Sequence, residues 1–119
     1  MKINEKATEI HKIAKKHGWW NEPKSFGELI ALCHSELSEA LEEYRNNRKP
    51  EEIYYSGKTI SPTPTDDCKK PEGIPIELAD VIIRILDMCG YYNIDIEKAI
   101  AEKIEYNKTR PYKHGGKKI

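Results

Sequence analysis

Four carboxylates stand out by their spacing. Glu36 and Glu39 are three residues apart in one apolar-patterned stretch, and Glu77 and Asp80 are three apart in another. On a helix, residues so separated project from the same face. At about 100° per residue, Glu36 lies beside Leu29 and Ala40 on the wheel and Glu39 lies close to Leu32. Both therefore stand at the border of the apolar arc. Glu77 and Asp80 form an acidic stripe at the start of an otherwise greasy segment, with Arg84 and Asp87 one to two turns further on. A lone carboxylate in an apolar setting protonates, and four converging ones repel each other. A divalent cation keeps them charged. All-oxygen ligands favour magnesium, manganese or calcium over zinc, and magnesium commonly shares its site with substrate phosphates, an arrangement suited to phosphoanhydride hydrolysis.

A Glu pair on a helix is by itself an ordinary solvated face, and Glu42 and Glu43 read that way. The pair on the apolar segment carries the argument for metal, because carboxylates there are not simply wet. A di-iron bundle would need Glu-x-x-His motifs. No Glu here is followed three residues later by His, and His34 precedes Glu36 on another face.

Lys103, Asn107 and Arg110 are spaced four and three apart and share one face of a helix end. They suit either a triphosphate clamp, with Arg giving bidentate contacts, or a basic helix end that complements the dipole. Trp19 and Trp20 follow a helix stop, and one of them either stacks on a base or plugs the helices. His34 reads either as a base or sugar contact or as a satisfied rim histidine.

The elements that position these residues are helical. The first helix runs from about Asn4 to His17, with Ile3, Ala7, Ile10, Ile13 and Ala14 inward, and Gly18 ends it. Ser25-Phe26-Gly27-Glu28 has the form of a capping box and starts a second helix from Phe26 to about Asn46. Its buried stripe is Leu29, Cys33, Leu37, Leu41 and Tyr44. Residues 47–73 carry Pro50, Gly57, Pro62, Pro64 and Pro71, which exclude a long helix. The expectation there is a long loop with at most a short turn from Glu51 to Tyr55, and no strand anywhere. Pro75 opens a third helix to about Tyr91, apolar over most of its circumference. Asp95 caps a fourth to about Lys108, with Ala99, Ile100 and Ile104 inward. The fold expected is all-α, a four-to-five-helix bundle in a single domain spanning 1–119, with a loop insertion between helices 2 and 3 and a basic tail over 110–119.

Composition agrees with a charged helical protein: 38% of the 119 residues are hydrophobic and 34% charged, which is too apolar for disorder. Lys+Arg and Asp+Glu both number 20, so net charge gives no sign of a general nucleic-acid binder. The three cysteines, Cys33, Cys68 and Cys89, lack metal-site spacing. Cys33 and Cys89 read as buried free thiols, which points to a reducing compartment. With no signal-peptide core and no apolar run long enough to span a bilayer, a cytoplasmic location and no membrane partner are expected.

The order Glu36-Leu37-Ser38-Glu39, a connection, then Glu77-Leu78-Ala79-Asp80 resembles the all-α nucleoside triphosphate pyrophosphohydrolases of the MazG type, whose signature is E-x-x-E on one helix and E-x-x-D on the next. Gly18-Trp19-Trp20, His34-Ser35-Glu36, Pro71-Glu72-Gly73-Ile74-Pro75 and the run from Tyr106 to Gly115 extend the similarity over nearly the whole chain. The resemblance implies a helical core around Mg²⁺, with Mn²⁺ as a substitute, held by Glu36, Glu39, Glu77 and Asp80. It implies cleavage of an NTP or dNTP between the α- and β-phosphates by water that Glu39 orients or deprotonates. It also implies Lys103 and Asn107 at the triphosphate and assembly as a homodimer or homotetramer. Two departures stand out. Many members carry a third Glu directly before the first motif, where this chain has Ser35, and the connection between the motifs is long and proline-rich. The competing reading is a catalytically degenerate helical module that binds a partner.

Overall fold

The computed structural model describes residues 2–59 and 69–111. Four helices occur among them: α1 (Ile3–Lys16), α2 (Phe26–Arg45), α3 (Ile74–Tyr92) and α4 (Ile96–Lys108). Between α2 and α3 stand two strands, β1 (Tyr54–Thr59) and β2 (Lys69–Glu72). The fold is thus mostly helical, as expected, with a small sheet added. No helix among the described residues is long and apolar enough to cross a membrane. The tail beyond Pro111, Cys68 and the middle of the proline-rich connection lie outside the described residues.

Local sequence explains where each helix starts and stops. Ser25 accepts from the Glu28 amide while Glu28 reaches back to the Ser25 amide, so the capping box forms. Pro75 sits in the first turn of α3, and Asp95 accepts from the Lys98 amide at 3.1 Å to cap α4. Gly18, with φ +85°, ends α1 in a Schellman turn. Its amide bonds Lys15 O and that of Trp19 bonds Ala14 O. This turn throws both tryptophans back towards α3.

α3 is the central element and packs against α2 on one side and α1 on the other. Ala7, Leu86 and Cys89 form the buried core, flanked by Ile3, Ile10, Ile85 and Ile96. Gly90 lets α1 and α3 approach closely. A Cβ there would lie 2.7 Å from His11 Cβ and 2.9 Å from Ala7 O. α4 packs on α1 and is tied to it by Asn4, whose amide donates to Glu97 Oε1 and whose side chain donates to Asp95 Oδ1, both at 2.8 Å. Cys33 is half-buried and Cys89 buried, both as free thiols, and burial pushes both above their usual pKa.

Three expectations need correction. Residues 47–73 are not all loop. The turn closes between Lys49 and Glu52, and Tyr54 and Tyr55 then enter an antiparallel ribbon in which Tyr54 pairs with Glu72 and Tyr55 with Pro71. The aromatic pair favours a strand, and Pro71 is tolerated because a two-stranded ribbon leaves each strand one unpaired edge. Tyr54 anchors the ribbon to α2 by donating its hydroxyl to both Glu43 oxygens, at 2.7 and 2.9 Å.

The stripe expected to be buried on α2 is also only half right. Leu29 is buried, but Leu37, Leu41 and Tyr44 are 50, 58 and 61% exposed. Finally, Ala99, Ile100 and Ile104 of α4 face solvent, as do Ile13 of α1 and Leu78, Ile82 and Ile83 of α3. Among the described residues α3 packs mainly against α1 and α2, which leaves part of its apolar circumference open. Helical periodicity marks a face as apolar without saying whether it is covered.

Candidate metal centre

α2 and α3 lie side by side, so their carboxylates meet. One oxygen each of Glu36, Glu39 and Glu77 lies within 4.8 Å of the others. Glu39 is exposed and Glu77 half-buried. Glu77 Oε2 is itself buried and has no hydrogen-bond partner, the one such side-chain atom among the described residues. Burial pushes the Glu77 carboxyl up to about 7, reinforced by the neighbouring Glu39 carboxyl and by the charges of Asp80 and Glu36. Asp80 is one turn along α3, outside this trio but on the same cleft as Glu36. Its carboxyl is also held above its usual range, by burial first and then by the Glu36 charge, while Arg84 and Lys70 of β2 pull it down. The structure therefore brings three of the four expected ligands into one cluster and sets the fourth on its border.

The donor set fits a hard divalent cation. It is all oxygen, it comes from two rigid helices, and it contains a buried carboxylate oxygen that no protein donor satisfies. Leaving a buried acceptor unpaired costs about 1–3 kcal/mol, which a cation would recover.

A cleft of about 310 Å³ opens beside the cluster, walled by Trp19, Glu36, Asp80, Ile83, Arg84 and Asp87. Arg84 was legible only as a charge one turn beyond Asp80. In the fold its Nε donates to Glu36 Oε1 at 2.7 Å, and its Nη2 lies 2.7 Å from the same oxygen. The guanidinium also stands over the Trp19 ring, 4.9 Å from the centroid, and the Lys24 ammonium stands 4.5 Å from that centroid.

Of the two tryptophans, Trp19 is the one on the cleft. Trp20 serves the packing of α1 on α3. Its Nε1 donates to both oxygens of buried Asp87, at 3.0 and 3.2 Å, and its ring stacks on Tyr91 with centroids 4.2 Å apart. His11 completes this cluster with Nδ1 at 2.8 Å from Asp87 Oδ1. Neither Asp87 nor His11 was singled out as a partner from sequence. A buried acid on an apolar helix (Asp87) and a histidine bordering the apolar face of α1 were the available signals.

The remaining expected residues are elsewhere. His34 is exposed and lies beside Ile30, Leu37, Val81 and Ile85, on a different groove from the carboxylates. Lys103 and Asn107 sit on α4 and Arg110 just beyond its end; the main packing partner of α4 is α1, so the described residues do not gather these three at the acidic cluster. Lys103 and Arg110 instead stand over Tyr106, 5.0 and 5.8 Å from its centroid. Compared with protein-family models, characterised proteins and solved structures, the chain matches none.

Proposed function

We propose that this chain is a divalent-cation-dependent nucleoside triphosphate pyrophosphohydrolase of the MazG-like kind, cleaving an NTP or dNTP to its monophosphate and pyrophosphate. One observation carries the reading: Glu36, Glu39 and Glu77 converge from neighbouring helices around a buried, unpaired oxygen of Glu77. Glu36, Glu39, Glu77 and the bordering Asp80 would hold Mg²⁺ or Mn²⁺. Such an ion neutralises the carboxylates and polarises phosphate oxygens. Glu39 is the exposed member of the trio. Its exposure supports giving it the orienting of the attacking water and the acceptance of its proton. Trp19, on the wall of the cleft, takes the place given to Trp20 as the aromatic beside the site.

The active unit is a second copy paired with the first. Leu37, Leu41, Leu78, Ile82 and Ile83 are all exposed on α2 and α3, more apolar surface than an isolated helical monomer normally leaves to water. Pairing would cover this face. It also offers a route for Lys103, Asn107 and Arg110 of one copy to reach the carboxylates of the other, which one chain does not achieve.

The test is pyrophosphate release from a panel of NTPs and dNTPs, with and without Mg²⁺, for the native chain and Glu39→Gln. Loss of a positioned base lowers turnover about 10²–10⁴-fold. Metal-dependent turnover that survives Glu39→Gln removes the role given to Glu39, and no release from any nucleotide removes the enzyme reading. A second reading, a binding module without turnover, draws on Arg84 already occupying Glu36 and on Ser35. Mg²⁺-dependent thermal stabilisation with no pyrophosphate release would select it.

A further inference from the structure

The Arg84–Glu36 pair carries an inference that rests on the cation reading of the acidic cluster. Two of the three guanidinium nitrogens, Nε and Nη2, converge on one Glu36 oxygen at 2.7 Å. The pair is shielded, with the Glu36 side chain only 12% exposed and that of Arg84 28%. Arg84 lies four residues beyond Asp80 and follows it along the same face of α3. Its flat group rests on Trp19, and the cleft bounded by Trp19, Glu36 and Asp80 lies beside it. Among the described residues, Arg84 is the one cation in hydrogen-bonded contact with the cluster. Both bonds fall on Glu36 Oε1, so a cation drawing on that oxygen competes with them, and a fixed positive charge so close opposes a dication directly.

We propose that Arg84 is the built-in counter-ion of the acidic centre: it occupies Glu36 while no cation is bound, and gives Glu36 up to the cation to grip a phosphate of the anionic substrate. Trp19 supports the guanidinium in both positions, so the exchange needs only a side-chain swing within the cleft. Arg84 thereby lowers affinity for the free cation and raises affinity for the cation together with a phosphorylated ligand. The centre thus fills more readily as a ternary complex than by metal alone. A planar guanidinium suits this work because it can offer paired donors first to a carboxylate and then to a phosphate.

The experiment is calorimetric titration of the full chain with Mg²⁺ alone, and with Mg²⁺ plus a non-hydrolysable nucleoside triphosphate, for the native protein, Arg84→Met, Arg84→Lys and Glu39→Gln. Arg84→Met keeps an apolar stem on Trp19 and is expected to bind Mg²⁺ alone roughly tenfold more tightly and the nucleotide at least tenfold more weakly. Arg84→Lys keeps the charge but loses the fork, and is expected to bind Mg²⁺ as the native chain does while losing nucleotide affinity. Circular dichroism checks that both variants are folded. Unchanged or weaker Mg²⁺ binding by folded Arg84→Met overturns the proposal. If native binding of Mg²⁺ is lost in Glu39→Gln at the same time, the metal centre still stands and only the counter-ion role falls. Native protein that binds no Mg²⁺ with or without nucleotide overturns both.

Discussion

Replacing Glu77 by Gln should make the metal-free protein more stable, although it alters the residue at the heart of the site. The Glu77 carboxyl is pushed up to about 7 in the fold from an ordinary 4.5. The folded chain therefore keeps a proton, across the interval between those values, that the unfolded chain has already released. The folded state binds more protons there, so stability falls as pH rises through that interval and levels off above about 7. At full value the displacement corresponds to about 3 kcal/mol. Glu77 is partly exposed, and solvent screening reduces the usable part to about 1–2 kcal/mol. Gln cannot ionise, and its amide can donate to Glu39, so the variant avoids this cost. Thermal unfolding in EDTA at pH 8 is expected to shift upward by roughly 4–10 °C relative to the native chain, with the difference shrinking towards pH 5. The same substitution should abolish the upward shift that Mg²⁺ gives the native chain at pH 8, because it removes a ligand charge. A Glu77→Gln protein that is less stable than native at pH 8 in EDTA, or that keeps its full Mg²⁺ response, would refute the reasoning.

Two further outcomes test the frame that holds the site. Gly90→Ala places a methyl group against His11 Cβ and Ala7 O where α1 crosses α3. Overpacking of about 1–3 kcal/mol, partly offset by roughly 0.5–1 kcal/mol of helix propensity, leaves a net loss of about 0–2.5 kcal/mol, readable as a lower urea midpoint with unchanged slope; a stabilised variant would show that the close approach does not exist. Ile82→Glu on the exposed apolar face of α3 should shift the sedimentation of the chain from dimer to monomer while preserving its helical spectrum. Native protein that sediments as a monomer at high micromolar concentration would show that this face is not covered by a second copy.

What could be read from the amino-acid order was what depends on neighbours a few residues away. The Ser25–Glu28 capping box, the Asp95 cap and the Gly18 stop are local hydrogen-bond and dihedral requirements, and all three formed. The Glu36/Glu39 and Glu77/Asp80 pairs are fixed by helical pitch, so their faces were legible, and the meeting of the two helices followed from their apolar stripes. The ribbon was not legible, because its pairing of Tyr54 with Glu72 depends on contacts across an intervening proline-rich run. Whether Trp19 or Trp20 meets the cleft depends on the rotation of the Schellman turn against α3, and the choice is made by buried Asp87, which takes the Trp20 N–H and leaves Trp19 to Arg84.

The exposed leucines and isoleucines and the unshared oxygen of Glu77 point to the same cause from opposite directions. Periodicity correctly marked Leu37, Ile82 and Ile104 as apolar-face residues, yet one chain leaves them in water. Carboxylate spacing singled out Glu77, and among the described residues its inner oxygen finds no donor. A sequence selected to fold alone would have no reason to keep either feature, since each lowers the stability of the isolated chain. Both would become favourable with the two components proposed above, a second copy over α2 and α3 and a divalent cation between them. Because α2 and α3 carry the exposed face and the acidic cluster together, covering the one should rigidify the helices that hold the other. Cation binding and self-association are therefore expected to strengthen each other, and adding Mg²⁺ should lower the concentration at which the chain dimerises.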